Sequence, residues 1–227
     1  MDYASTKYKN IEVSYLPDLD GGGMGFGQEF VQVVKEKLGR VGHLFEFCAG
    51  PGFIGFSLLA NGLCDRLTLA DINPEACKVC EETVKKNGLQ DKVSVYLSDC
   101  LDSIPQDEKW DLVVSNPPHW VTPDDAKREE GMADTKDIKK FDLGLEIHKR
   151  FYRNIHKHLK PGGSILLQEN GRATKPEDFT ELLRENNLAV KDIFKAKPLS
   201  ALQCILQGKK IKHAKGSPYY FIWTQQR

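Results

Sequence analysis

The chain is 227 residues long, 40% hydrophobic and 28% charged, with 32 Lys plus Arg balancing 32 Asp plus Glu for a formal net charge of zero. That length suits one α/β domain with small additions rather than two separate cores, and neutrality argues against a protein whose affinity comes mainly from a nucleic-acid backbone. No apolar run reaches the about 18 residues of a membrane span, and MDYASTKYKN at the start lacks a leader's apolar segment, so the expectation is a cytoplasmic protein with no membrane partner.

In chain order, residues 17–27, PDLDGGGMGFG, read as a glycine-rich loop, followed by a helix over QEFVQVVKEKLGRV with apolar residues at 30, 33, 34 and 38. Strands are expected at 43–50, 66–72, 92–99, 110–116, 162–170, 189–197 and 217–226, and helices at 53–62, 73–88, 143–159 and 175–187. Pro74 in the first turn and Gly88 past the end bound the helix at 73–88. The alternation predicts a single doubly wound, mostly parallel seven-stranded sheet. The last two strands are joined by a loop alone, which predicts one antiparallel edge strand. The domain is expected over 43–227, with 1–42 as an N-terminal extension carrying a glycine-rich flap and a helix.

Six cysteines stand at 48, 64, 77, 80, 100 and 204, mostly in apolar or helical surroundings, as expected of reduced, buried thiols. Cys77 and Cys80 form a C-x-x-C inside a helical pattern with no second pair. A zinc site needs about four ligands, so helix packing is the expectation and no metal is expected.

The stretch EFCAGPGFIG, residues 46–55, joins the first predicted sheet strand to its helix. Gly50, Gly52 and Gly55 permit a tight turn and close approach of backbone to a ligand. Asp71 ends the next strand nineteen residues after Gly52, the place from which a carboxylate accepts hydrogen bonds from ribose hydroxyls. Pro51 removes one N–H that would cradle a pyrophosphate, so an adenosine ligand without phosphate fits better than a dinucleotide. Asp99 ends the third strand, where it can meet an adenine amine or cap the following turn. In VVSNPPHW, Pro117 and Pro118 stop a buried strand and leave Asn116 at its end.

In this order, Glu46 with CAGPG, Asp71 with INP, Asp99 and NPPH resemble the successive motifs of class I S-adenosylmethionine-dependent methyltransferases over residues 43–170. More narrowly the chain resembles the Asn-Pro-Pro-aromatic N-methyltransferase branch, which includes release-factor glutamine methyltransferases and nucleobase amino-methyltransferases. The resemblance implies a Rossmann-like methyltransferase fold, S-adenosylmethionine as cofactor and S-adenosylhomocysteine as product. It places Glu46, Cys48, Ala49, Gly50, Gly52, Asp71, Ile72, Asp99 and Asn116 around the cofactor. The glycine turn would hold the methionine part, Asp71 the ribose and Asp99 the adenine, with Ile72 packed on the ring; Glu46 would fix the turn or reach the methionine ammonium.

A planar nitrogen is a poor nucleophile, and acceptors placed on its two N–H bonds draw charge toward it and aim it. The Asn116 oxygen and the Pro117 carbonyl can supply both, which makes Asn116, Pro117 and His119 the expected catalytic residues. Pro118, Trp120 and Phe26 are expected to touch the substrate. His119 stands where the family has Tyr, Phe or Trp; it can stack, or act as a base toward an amine or hydroxyl. The leading expectation is methyl transfer to a planar amide or amino nitrogen of a protein or nucleobase. The alternatives are a small-molecule methyltransferase with His119 as base, and a non-catalytic cofactor-binding subunit. The acceptor class and oligomeric state stay open. The charged stretch 122–142 is a lid or a solvated loop, the basic run 208–216 an exposed hairpin loop or an anion contact, and His148, His156 and His158 are expected at the surface.

Overall fold

The computed structural model describes residues 3–19, 23–121, 140–195 and 218–227. A hairpin of β1 (Ala4–Tyr8) and β2 (Ile11–Tyr15) precedes α1 (Gly23–Val33), which continues as a π-helical turn over Val34–Leu38. Then follow β3 (Val41–Phe47), α2 (Phe53–Ala60), β4 (Cys64–Asp71), α3 (Pro74–Lys86), β5 (Val93–Leu97) and β6 (Trp110–Ser115). After the charged stretch come α4 (Glu146–Ile155), β7 (Leu159–Asn170), α5 (Thr180–Glu185), β8 (Leu188–Phe194) and β9 (Tyr219–Gln226).

The seven sheet strands lie in the order β5-β4-β3-β6-β7-β9-β8. From β3 the chain winds outward through β4 and β5, then returns to the far side of β3 with β6, so the strand order reverses between β3 and β6. Crevices at such reversals, beyond the carboxyl ends of the strands, are where open α/β sheets bind ligands. Successive residues of the central strands face opposite ways, so the sheet is buried on both sides. Leu44, Leu112, Val114 and Leu166 join one apolar cluster with Phe30, Phe53 and Phe56, while Phe45, Val113, Ile165 and Leu167 join a second with Trp110, Phe151 and Phe179. Each such buried side chain contributes about 1.5–3 kcal/mol relative to exposure.

The parallel sheet and its strands follow the sequence reading, with ends shifted by a few residues. β9 is the antiparallel strand; it lies at the expected margin, paired on both sides between β7 and the outermost β8. The β1–β2 hairpin is an addition to that reading: Ile11 and Val13 are buried in the same cluster as Leu44, and Ser14 N donates to Thr83 Oγ1 of α3 at 2.9 Å.

Two expectations are corrected. Residues 23–27, read as loop, are the first turns of α1. Packing overrides the poor helix propensity of glycine there: Gly27 is buried, and Ser57 of α2 donates through Oγ to its carbonyl at 3.2 Å. His148 and His158, read as surface groups, are 1% and 4% exposed. Each has hydrogen-bond partners that the helical pattern does not announce: buried carboxylates for His148, and the carbonyl of half-buried Glu108 for His158. The expectations for 122–139, 208–216 and the Phe26 side chain lie outside the described residues.

Candidate active site

The turn after β3 is built by backbone geometry and two carboxylates. Ala49 N donates to Ala70 O at 3.0 Å and Gly52 N to Ala49 O at 2.8 Å, which closes the turn against β4. Gly52 caps α2 in the left-handed region, with φ 75°, and a Cβ there would stand 2.8 Å from the Phe56 ring. At Gly55 a Cβ would meet Glu46 Oε2 and Leu67 Cδ1, both at 2.7 Å. Only glycine lets α2 approach β3 and β4 this closely.

Glu46 is 2% exposed, and its Oε2 accepts from Gly55 N at 2.6 Å. Burial pushes its carboxyl up to about 8, against the opposing pull of the Gly55 and Ile54 N–H groups. Of the two roles considered for Glu46, this geometry supports fixing the turn. Asp71, half-buried at the end of β4, accepts from Gly50 N at 2.7 Å on one oxygen and from Asn73 N at 2.9 Å on the other. Burial raises its pKa, opposed by the N–H groups of Asn73 and Gly50. A carboxylate has about four lone-pair positions, so these two bonds orient Asp71 and leave acceptor capacity for a ribose.

Ile72 is 61% exposed at the mouth of the crevice, as a residue awaiting a flat apolar ligand would be. The turn's N–H groups, half-buried Cys48 and Gly50, oriented Asp71 and open Ile72 fit an adenosine-type cofactor. Asp99, two residues beyond the end of β5, is exposed, and both its oxygens accept from Arg150 Nη1, at 3.0 and 2.9 Å. Arg150 Nη2 also holds Asp102 at 2.8 Å. Asp99 therefore sits in an ion-pair network at the rim, because α4 brings a guanidinium over the end of β5. Cys77 and Cys80 pack on α3 toward the sheet, and Cys80 Sγ donates to Gly50 O at 3.2 Å, bracing the turn from behind.

Across the switch point, Ser115 Oγ donates to Phe47 O at 2.5 Å and ties the end of β6 to the end of β3. Asn116 follows, half-buried, with its Oδ1 2.8 Å from His119 Nε2. Pro117 is buried and Pro118 half-buried, and no hydrogen bond among the described residues ends on the Pro117 carbonyl. The His119 ring lies 5.4 Å from that of Tyr219, tilted by 59°. Trp120, expected to touch substrate, is 6% exposed and serves as an anchor: its N donates to Lys140 O at 2.9 Å and its O accepts from Asp142 N at 2.9 Å. These bonds draw the two ends of the charged stretch together.

Behind the motif lies a group that the sequence reading missed. Asp142, His148 and Glu169 are all buried, with His148 between the two carboxylates. His148 Nδ1 is 2.5 Å from Asp142 Oδ2 and its Nε2 is 3.0 Å from Glu169 Oε1. Burial works against a charge on His148, but Glu169 and Asp142 outweigh it and raise its pKa to about 9. Burial likewise opposes ionisation of Glu169, and the facing His148 brings its pKa below the usual carboxylate value. Glu169 is the penultimate residue of the fifth predicted strand, in LLQENG. A lone acid in an apolar run there was the one available signal.

The sequence of residues 26–129 matches the Methyltransferase small domain family. The release factor glutamine methyltransferase of Clostridium acetobutylicum is 28% identical over 72% of this chain and 64% of its own length. The ribosomal protein uL3 glutamine methyltransferase of Francisella tularensis is 31% identical over 55% of this chain and 40% of its own length. The chain thus spans less than two thirds of either relative. Among solved structures, the 16S rRNA N2 G1207 methyltransferase of Thermus thermophilus, in complex with S-adenosylmethionine and guanosine, shares the fold with a TM-score of 0.60 at 14% identity. That match covers all of this chain and 50% of the other. The glycine turn, Asp71, the strand order and these likenesses agree: the chain resembles S-adenosylmethionine-dependent methyltransferases in sequence over residues 26–129 and in fold over its whole length.

Proposed function

We propose that the chain methylates a planar side-chain nitrogen of a protein, with a glutamine amide as the acceptor. The observation that carries this reading is the placement of Asn116 at the end of β6, directly across the switch point from the glycine turn after β3. S-adenosylmethionine, held by Gly50, Gly52, Asp71 and Ile72, supplies an electrophilic methyl group on a positively charged sulfur. The Asn116 Oδ1 has two lone pairs; one faces His119 and the other can take an acceptor N–H. The Pro117 carbonyl, fixed in direction by the two ring-locked residues, takes the second N–H. Aligning the nitrogen and drawing charge toward it is catalysis by orientation and electrostatics: as the N–C bond forms the S–C bond breaks, the sulfur leaves as the neutral thioether of S-adenosylhomocysteine, and the now acidic N–H proton is lost to solvent after the methyl has moved, so no strong base is required.

The geometry speaks against His119 as a base toward an amine or hydroxyl. Its Nε2 is engaged with Asn116, and its Nδ1 is buried and faces Glu169. A protein acceptor is favoured over a nucleobase by the names of the two sequence relatives, which act on a release factor and a ribosomal protein. Labelled methyl transfer from S-adenosylmethionine to a purified release factor and to purified uL3 tests the reading. Protease-released label on a glutamine side-chain nitrogen is expected. Label found only in nucleic acid of a cell extract, or on a hydroxyl, contradicts it.

A further inference from the structure

We propose that Asp142, His148 and Glu169 are positioning residues for methyl transfer: a buried chain that holds the His119 ring and, through it, aims the Asn116 amide at the acceptor. The inference rests on the acceptor-orienting role of Asn116 given above. The chain of contacts starts at Asp142, whose Oδ1 accepts from Ile147 N at 2.7 Å and whose Oδ2 accepts from His148 N at 3.2 Å. Asp142 thus caps the start of α4 and fixes the His148 ring in one step. His148 then holds Oε1 of Glu169. The remaining oxygen, Oε2, is buried and has no hydrogen-bond partner among the described residues. His119 Nδ1 is in the same condition, and the two atoms stand 3.6 Å apart. On the other side of that ring, Nε2 reaches Asn116 Oδ1.

His119 Nδ1 and Glu169 Oε2 are orphaned, buried and a few tenths of an ångström beyond hydrogen-bond distance; they are complementary when the ring carries a proton on each nitrogen, Nε2–H for Asn116 Oδ1 and Nδ1–H for Glu169, and such a bond is costly to leave unmade. A small rotation of the imidazole closes the gap, and catalytic hydrogen bonds are often long before substrate binds. The anchors lie on three separate elements: Asn116 and His119 after β6, Asp142 and His148 around the start of α4, and Glu169 on β7. Asparagine at the end of a strand has a freely rotating side chain unless something holds it. A phenyl or phenol ring at position 119 could only pack against it, whereas the imidazole offers one nitrogen to Asn116 and one to Glu169. The histidine that departs from the family pattern therefore has its counterpart in a carboxylate built to receive it.

The test reads Asn116 directly and needs no acceptor. Side-chain amide ¹⁵N relaxation is measured on the full chain, with the Asn116 signal assigned by its loss in Asn116→Ala. The parent should show an ordered amide. Glu169→Gln should keep it, because Oε1 of the new side chain accepts from His148 while its NH₂ donates to His119 Nδ1. Glu169→Leu fills the space without a polar atom, and the Asn116 order parameter should fall below about 0.6. If Glu169→Leu fails to fold, His119→Phe keeps the ring volume without its nitrogens and should give the same fall. An Asn116 amide that stays ordered in Glu169→Leu or His119→Phe overturns the inference, as does equal loss of order in Glu169→Gln and Glu169→Leu. An ordered parent amide in a protein that methylates no glutamine would instead count against the proposed acceptor, which keeps the two failures apart.

Discussion

The backbone N–H of Gly50 donates to Oδ2 of Asp71 at 2.7 Å, so the turn after β3 and the acid at the end of β4 hold each other in place. With the Ala49 N to Ala70 O bond, this contact couples the two halves of the candidate cofactor crevice.

Asp71→Ala should lose both the ribose contacts and the brace on the turn. Calorimetry with S-adenosylhomocysteine should show affinity weakened by roughly 1.5–3 kcal/mol, the scale of hydrogen bonds to a charged group. Undiminished affinity would remove Asp71 from the cofactor site.

Gly55→Ala should destabilise the fold, since the added Cβ would stand 2.7 Å from both Glu46 Oε2 and a Leu67 methyl. Overpacking of this kind costs about 1–3 kcal/mol. Urea unfolding of parent and variant measures it, and equal midpoints would show that α2 shifts freely away from β3.

Two buried groups make stability fall as pH rises. Glu46 is an acid raised from 4.5 to about 8, so the unfolded chain releases its proton first and the fold loses stability across that window. His148, raised from 6.5 to about 9, contributes stability that is complete below 6.5 and lost as pH passes 9. Denaturation midpoints should therefore decline from mildly acidic to alkaline pH. Glu46→Gln should flatten the part of the decline at lower pH and leave the part due to His148. An unchanged profile in the variant would contradict the assignment for Glu46.

The central strands and the motif order were legible because buried parallel strands read as continuous apolar runs, and because Gly50, Gly52, Asp71 and Asn116 each stop or follow such a run. The β1–β2 hairpin was not, since STKYKNIEVSY mixes charge with apolar residues and its buried face shows only against α2 and α3. Residues 23–27 were misread because glycine content signals a loop, while close helix packing rewards the same residues. The roles of His148 and Glu169 depend on a long-range pairing between α4 and β7, which no local spacing records. The ion pair of Asp99 was not legible because Arg150 lies 51 residues away in the chain.

The central claim is that Asn116 orients the acceptor and leaves cofactor binding to the turn and Asp71. Single-turnover methyl transfer to a purified release factor by the parent and by Asn116→Ala, with S-adenosylhomocysteine affinity measured for both, tests it most directly. The account predicts unchanged cofactor affinity and a rate lower by about 100-fold or more, the scale of removing one preorganised polar group. A variant that transfers methyl at the parent rate, or one that loses activity only because it no longer binds the cofactor, would contradict it.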